Sequence, residues 1–250
     1  MLLRFVLATI LVFLPLTFSN GADQYFIQRA DSCNSDMGSG GNLKGTAIPF
    51  QGKCEGAGLS PKLIKNQGIL FRVSTKGSSD RDRSELAATS KPFYLDRPYY
   101  VGFEIKVPRD SDVSDDFFYL LQFWQGGNKN PPIAGLRMKR GQSHVASIMV
   151  RGPNNPRGNT ISTINLQPRK WHHIVLGIQV NSDGTGWMEV WKGHKISSKW
   201  QGRIGFSTEP GVNDWYRLKF GIYKKSEPGR QFSTIYKNIK IGDSFRSVSF

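Results

Sequence analysis

The chain has 250 residues and carries 34 lysines and arginines against 19 aspartates and glutamates, a net charge of +15. Such an excess of basic residues attracts polyanions, so nucleic acid, anionic lipid and acidic polysaccharide are the candidate partner classes. Its two cysteines, Cys33 and Cys54, provide too few ligands for a zinc site.

The N-terminus has the features of a secretory signal peptide. Arg4 supplies positive charge, and residues 5–18 form an apolar run of about 14 residues, which is short for a membrane span. Ser19-Asn20-Gly21-Ala22 then offers small residues for cleavage. We therefore predict a signal peptide over residues 1–22 and one domain over residues 23–250, secreted or periplasmic and without membrane attachment after cleavage.

Short β-rich runs alternate with turn clusters in the rest of the chain. Three runs have apolar residues at every second position, which predicts strands with one buried face: Val101 to Val107, Ile69 to Val73 and Ile239 to Ile241. Trp171–Val180 and Gly186–Lys192 flank an Asp-Gly turn and predict a hairpin. The pattern is typical of an all-β sandwich. The loop-rich stretch Asp23–Leu59 is expected to wrap the edge of that sandwich.

Export has two consequences for these expectations. An oxidising compartment favours a disulfide between Cys33 and Cys54, which would contribute about 3 kcal/mol, with two free thiols as the alternative. Removing Arg4 with the signal leaves 33 basic against 19 acidic residues, a net charge of +14. Outside the cytoplasm acidic polysaccharide is the expected partner, and nucleic acid is not. We also expect a monomer.

Two predicted strands carry polar residues on one side. In Arg81-Asp82-Arg83-Ser84-Glu85-Leu86, strand pleating points Arg83 and Glu85 to the same side. In the run from Phe118 to Trp124, Gln122 and Trp124 share a side, opposite Leu121 and Phe123. An arginine and a glutamine side by side suit the binding of a carboxylate. An ordinary solvated face with cross-strand charge pairs is the alternative for each segment.

A third segment, Tyr216 to Lys225, has the same character. Its apolar positions are expected to face the core: Leu218, Phe220 and Ile222. Lys219, Gly221 and Tyr223 then face the other way, and Gly221 is expected to leave an opening where a sugar ring approaches the backbone. Lysines flanking Tyr223 favour its phenolate, which suits a proton-transfer group.

Taken in order, the three segments resemble the signature strands of alginate lyases with the β-jelly-roll fold. That family shows Arg-Ser/Thr-Glu, Gln-Ile/Val-His and Tyr-Phe-Lys-Ala-Gly-Val-Tyr, and this chain has Arg83-Ser84-Glu85, Gln122-Phe123-Trp124 and Lys219-Phe220-Gly221-Ile222-Tyr223. Trp171-His172-His173 and Trp191-Lys192-Gly193 also resemble the glucuronan lyase and heparin lyase type of jelly roll. The resemblance covers roughly residues 69–250. It implies a concanavalin A-like β-jelly-roll sandwich of two antiparallel sheets.

The resemblance also implies an activity and a site. The chain would be a polysaccharide lyase that cleaves a uronate-containing polysaccharide by β-elimination, without a cofactor. Tyr223 would transfer the proton, and Gln122 and Arg83 would bind and neutralise the uronate carboxylate. Glu85 would orient Arg83, and Lys219 would bind substrate or tune Tyr223.

One position departs from the family pattern. Trp124 stands where the alginate lyases have a histidine, and an indole can stack on a sugar but cannot act as a base. Either Tyr223 acts alone, or another histidine enters the site, or activity is lost. His144, in a predicted hairpin after Arg137, is the first choice, and both residues are predicted to bind substrate. The other candidates are His172, His173 and His194.

Two other function classes remain open at this point. A lectin-like module would use Trp124, Arg83 and Lys219 to bind an acidic glycan without cutting it. A glycoside hydrolase needs two facing carboxylates, and Glu85 has no evident partner in the other two segments. We predict no metal site, because no cluster of metal ligands is visible in the sequence.

Overall fold

Antiparallel strands make up nearly all of the regular structure. The computed structural model describes residues 36–43, 46–74, 80–88, 93–107, 118–125, 131–138, 142, 144–206, 214–226, 229 and 231–250, with only the backbone over 36–49. The strands are β1 Asp36–Leu43, β2 Thr46–Glu55, β3 Gly58–Ile64, β4 Gly68–Val73, β5 Arg81–Ala88, β6 Phe93–Tyr94, β7 Tyr99–Lys106, β8 Phe118–Gln125, β9 Ala134–Met138, β10 Val145–Gly152, β11 Asn155–Asn165, β12 Trp171–Val180, β13 Thr185–Lys192, β14 Lys195–Arg203, β15 Trp215–Lys225 and β16 Phe232–Gly242, followed by a short helix, α1, at Phe245–Val248.

The described strands form two sheets packed face to face. The first sheet has the order β1-β2-β5-β15-β8-β9-β10-β11, with β6 paired to β15, and the second has the order β14-β13-β12-β7-β16-β4-β3. Some neighbours in these orders are distant in sequence: β15, for example, lies between β5 and β8. This arrangement confirms the predicted all-β jelly-roll sandwich of two antiparallel sheets.

The core lies between the sheets and contains the predicted apolar faces. Every second residue from Val101 to Val107 is buried, as are the predicted inward positions of the other two runs: Ile69, Phe71 and Val73 in β4, and Ile239 and Ile241 in β16. Phe220 of β15 packs edge-on against Phe50 and Phe71, with ring centroids 5.3 and 5.8 Å apart, and lies 5.7 Å from Tyr236 of the second sheet. The Tyr236 hydroxyl donates to the Leu120 carbonyl at 2.6 Å. These contacts fix β15 and β8 against the opposite sheet.

The N-terminal region differs from the expected loop-rich edge. β2 pairs with β5 from Phe50 opposite Ala88 to Glu55 opposite Arg83, so this segment extends the first sheet. The sequence of β2 indicates a strand only weakly, because it contains a single large aromatic side chain, Phe50, which is buried. Cys54 lies opposite Ser84, whereas Cys33 lies outside the described residues, so the disulfide stays a prediction.

The predicted signal peptide, residues 1–22, also lies outside the described residues. Within the part of the chain that the structure describes, no helix has the length and apolar character needed to cross a bilayer.

We expect Phe220→Ala to lower the free energy of unfolding by about 3–5 kcal/mol, because it leaves a cavity among three aromatic rings. Urea denaturation measures the loss. Leu63→Ala, at a side chain that is 49% exposed, is the control and should change the value by less than about 0.5 kcal/mol. Equal losses in the two variants would contradict the assigned core.

Candidate active site

The three polar segments of the sequence meet on the outer face of the first sheet. β15 pairs with β5 and β8, which places Tyr223 opposite Arg83 on one side and opposite Tyr119 on the other. In the same way Lys219 lies opposite Gln122. The alternate residues of β15 are buried in the core, so these side chains point away from the second sheet.

A β-bulge interrupts the pairing of β15 with β8 between Phe220 and Tyr223. Gly221 lies in this bulge with φ +129°, and a Cβ there would be 2.3 Å from the Ser84 carbonyl oxygen and 2.7 Å from the Phe71 ring. The expected opening for a sugar at Gly221 is therefore wrong, because the missing side chain would point at β5 and the core. The glycine permits the bulge, and a bulge re-aims the side chains beside it.

The phenol of Tyr223 is held between two guanidinium groups. Arg81 Nη1 donates to the Tyr223 hydroxyl at 2.8 Å, and Arg83 Cζ lies 4.4 Å from the centroid of the tyrosine ring. Tyr223 belongs to a small buried cluster with Tyr119, which lies opposite it, and Met149, and it is 7% exposed. A cationic donor at the phenol oxygen stabilises the anion that forms when the phenol loses its proton.

The cation at this phenol is not one of the flanking lysines that the sequence suggested. Lys224 is buried, lies 3.9 Å from Asp82 and donates to the backbone carbonyl of the next residue at 2.6 Å. Arg81 takes the expected place. Its position two residues before Arg83, on the same side of a strand, is the sequence signal that could have indicated it.

A buried carboxylate connects the arginine to the glutamine. Gln122 Nε2 donates to Glu85 Oε1, and Arg83 Nε lies 3.4 Å from Glu85 Oε2, an ionic contact without hydrogen-bond geometry. Arg83 Nη2 also lies 3.4 Å from Glu55 Oε2. Glu85 thus holds the two side chains predicted to bind a carboxylate, one on each of its oxygens.

Burial changes the proton affinities at this point. It raises the pKa of Glu85 from 4.5 to about 7, although Lys219, Arg83 and the hydrogen bond from Gln122 act to lower it. Burial also lowers the pKa of Lys219, against the opposing effect of Glu85. Perturbed acids and bases that cluster on one surface are typical of functional sites.

An aromatic and cationic wall borders the carboxylate network. Arg217, opposite Trp124 in the register, has its guanidinium carbon 4.9 Å from the Trp124 ring and 4.6 Å from the Trp215 ring. Lys219 Nζ lies 4.8 Å from the Trp124 ring. Burial lowers the pKa of Arg217. The sequence pointed to Trp124 and Lys219 but missed Arg217 and Trp215, whose side chains complete the wall.

The other two predicted substrate contacts lie farther out. Arg137 in β9 is opposite Tyr119, in the cross-strand row that contains Tyr223. His144 precedes β10, three strands from β15, which corresponds to about 14 Å at the usual strand spacing. The remaining histidines, His172, His173 and His194, lie in or next to strands of the second sheet. No histidine therefore lies beside Tyr223 among the residues described, and the role of His144 stays a prediction.

The described residues contain no group of three or more histidine, cysteine, aspartate or glutamate side chains suited to hold a metal ion. The two carboxylates of this surface, Glu55 and Glu85, both contact Arg83. The groups on this described surface that can take part in a reaction are therefore a phenol, an amide, carboxyl groups and several cations.

Comparisons with known proteins agree with this geometry. In overall structure the chain is similar to an endo-β-1,4-glucuronan lyase from the fungus Trichoderma reesei, with a TM-score of 0.64 and 15% identity over 84% of this chain and 96% of that one. It is also similar to an alginate lyase from Pseudomonas aeruginosa, with a TM-score of 0.51 and 14% identity over 74% and 86% of the two chains. At these identities the similarity establishes a shared fold. A search of curated proteins found no match.

The sequence itself matches a family model. The model is described as polysaccharide lyase and matches residues 55–240, from the end of β2 into β16. The matched part includes every residue of the surface around Tyr223. It also confirms the family resemblance seen in the three polar segments. The chain therefore belongs to the polysaccharide lyase family.

Proposed function

We propose that this lyase cleaves a uronate-containing acidic polysaccharide by β-elimination, with Tyr223 as the proton-transfer residue. The observation that carries the proposal is the position of the Tyr223 phenol, 2.8 Å from a guanidinium nitrogen of Arg81 and next to Arg83. The similar structures are named as lyases of glucuronan and of alginate, which are both uronate polymers.

The reaction first requires that the weakly acidic C–H bond at carbon 5 of the uronate become acidic enough to lose its proton to a base. Removing the proton on carbon 5 of a uronate leaves a carbanion that delocalises into the carboxylate at carbon 6. Arg83 and Gln122 bind this carboxylate and stabilise the charge that develops on it. Lys219, which lies opposite Gln122, adds further positive charge beside this carboxylate.

The second requirement is a group that takes one proton and supplies another. The phenolate of Tyr223 removes the proton from carbon 5, and the electron pair of that C–H bond forms the double bond between carbons 4 and 5. The bond from carbon 4 to the glycosidic oxygen breaks, and the phenol returns its proton to that oxygen. Since Trp124 replaces the family histidine and no other histidine lies near, one residue serves both steps. The proton and the leaving group must then lie on the same face of the ring.

Glu85 is a positioning residue in this scheme. Its two oxygens face Gln122 and Arg83, and both partners are aimed by contacts within the sheet. Because the carboxyl is buried, ionising it is costly, and the nearby cations offset only part of this cost. Glu85 therefore keeps the carboxylate-binding pair in place at the expense of stability at high pH.

Tyr223→Phe removes the phenol oxygen while keeping the ring that packs on Tyr119. We expect the rate to fall by at least about 100-fold with substrate binding retained. The assay is ultraviolet absorbance of the unsaturated product on a panel of alginate, polyglucuronate and heparin. Tyr94→Phe, at an exposed tyrosine, is the control and should match the wild type. Normal rates in Tyr223→Phe would reject the assignment. Binding by the wild type without any unsaturated product would indicate a lectin-like module instead.

Arg81→Gln tests how the phenol is activated. Losing the guanidinium removes the hydrogen bond that holds the phenol oxygen in place, so the rate at neutral pH should fall while substrate binding is retained. Lys225→Gln removes an equal charge from the residue opposite Arg81 and serves as the matched control. An equal fall in rate in both variants would show a general charge effect and would argue against the specific contact.

Glu85→Gln tests the buried carboxyl through stability. The folded protein keeps the proton of Glu85 up to about pH 7, whereas the unfolded chain loses it near 4.5, so the wild-type free energy of unfolding falls as the pH rises through this range. The contribution is up to about 3 kcal/mol. Urea denaturation at pH 5 and pH 8 should show a smaller difference in the variant. Glu55→Gln, at a more exposed carboxylate, should keep the wild-type difference. An unchanged difference in Glu85→Gln would contradict the raised pKa.

A further inference from the structure

A second cleft lies on the opposite face of the sandwich from Tyr223. It has a volume of about 460 Å³ and is formed by β13 and the edge strand β14 of the second sheet. A cleft of this size is within the usual range for small-molecule sites. Its lining residues are Trp187, Glu189, Lys199, Trp200 and Gln201. None of these residues belongs to the surface around Tyr223.

The aromatic part of the cleft is fixed in position. Trp187 packs on Tyr100, with ring centroids 5.9 Å apart, and its Nε1 donates to Gln179 Oε1 at 3.2 Å. Both rings lie over Gly177, where an added Cβ would be 2.6 Å from the Tyr100 ring and 3.1 Å from the Trp187 ring. The glycine thus lets the rings lie against β12. A ring fixed before binding loses little entropy when a ligand stacks on it.

The polar part of the cleft has the chemistry that recognises sugar hydroxyls. Glu189 accepts from Lys199 Nζ at 3.0 Å, from Trp191 Nε1 at 3.3 Å and from the Tyr100 hydroxyl at 3.5 Å, so its charge is balanced within the protein. Lys199 is 69% exposed, and an ammonium has three donors, so one ion pair does not exhaust it. The Gln201 amide adds a donor and an acceptor.

The charge along β14 favours an anionic ligand. Its residues alternate between exposed and partly buried, and the exposed positions include Lys195, Lys199 and Arg203. Successive basic residues are four positions apart, or about 13 Å along a strand. A row of cations beside a stacking surface attracts an extended polyanion more strongly than a small neutral ligand.

We infer that this cleft is a second polysaccharide-binding site, which takes a sugar of an acidic polysaccharide stacked on Trp187 with its polar groups near Lys199 and Gln201. The identity of the polymer rests on the proposed function. A long polysaccharide held at the cleft keeps its other segments near Tyr223, although the two sites are on opposite faces. This raises the effective concentration of those segments at Tyr223. A short oligosaccharide cannot occupy both faces and gains nothing from the cleft.

The test measures binding separately from cleavage. Affinity electrophoresis in gels that contain alginate, polyglucuronate, heparin or neutral dextran follows four variants, with thermal melting to check folding. We expect Trp187→Ala to weaken binding to at least one acidic polymer by about tenfold, and Trp187→Phe to retain most of it. Lys199→Gln should weaken binding more than Lys195→Gln, which removes the same charge from the same strand outside the cleft. Dextran should retard none of them.

Kinetics supply the second readout. Trp187→Ala and Lys199→Gln should raise KM severalfold on the long polymer and leave the turnover of a tetrasaccharide unchanged. Wild-type binding of every acidic polymer by Trp187→Ala, or equal losses in the two lysine variants, would overturn the inference. If the wild type yields no unsaturated product but binds through Trp187, the proposed reaction fails and the binding site stands.

Discussion

Strand β15 pairs with β5 on one side and with β8 on the other, and the site around Tyr223 depends on this register. It sets the tyrosine opposite Arg83 and Lys219 opposite Gln122. A shift of one residue would turn every one of these side chains into the core. Such a shift is prevented because Phe220, on the inner side of the same strand, is packed against three aromatic rings. The core packing of one side chain thus specifies the chemistry of its neighbours.

Cations surround both Tyr223 and Trp124, the residue that stands where the resemblance to alginate lyases implies a histidine. Arg217 and Lys219 lie over the ring of Trp124, and the Tyr223 phenol has two guanidinium groups beside it. A surface with this many cations suits a carboxylate-bearing polymer, and the buried Glu85 lies among them in contact with Arg83. Proton transfer through one tyrosine is consistent with this distribution of charge.

The two outer faces of the sandwich carry the same combination of side chains in different arrangements. In each, a tryptophan on the outside of a strand lies beside a lysine, and a carboxylate is held by neighbouring donors. Around Tyr223 the carboxylate is that of Glu85, which is buried and bridges Gln122 and Arg83. In the cleft at Trp187 the carboxylate is balanced by three donors, which leaves an aromatic and cationic surface without a proton-transfer group. The net charge of +15 thus has two places where it can act on a polyanion.

The sequence by itself determined the period-two strands, the apolar faces that form the core and the three polar rows with Arg83, Gln122 and Tyr223, because strand pleating is a local property that each segment carries. Only the tertiary structure decided that Arg81, and not Lys224, meets the phenol, that Gly221 serves a bulge, that residues 46–55 form a strand paired with β5, and that His144 lies three strands away. These features depend on which strands pair and in what register. That choice is made by contacts between residues far apart in the chain, which no single segment encodes.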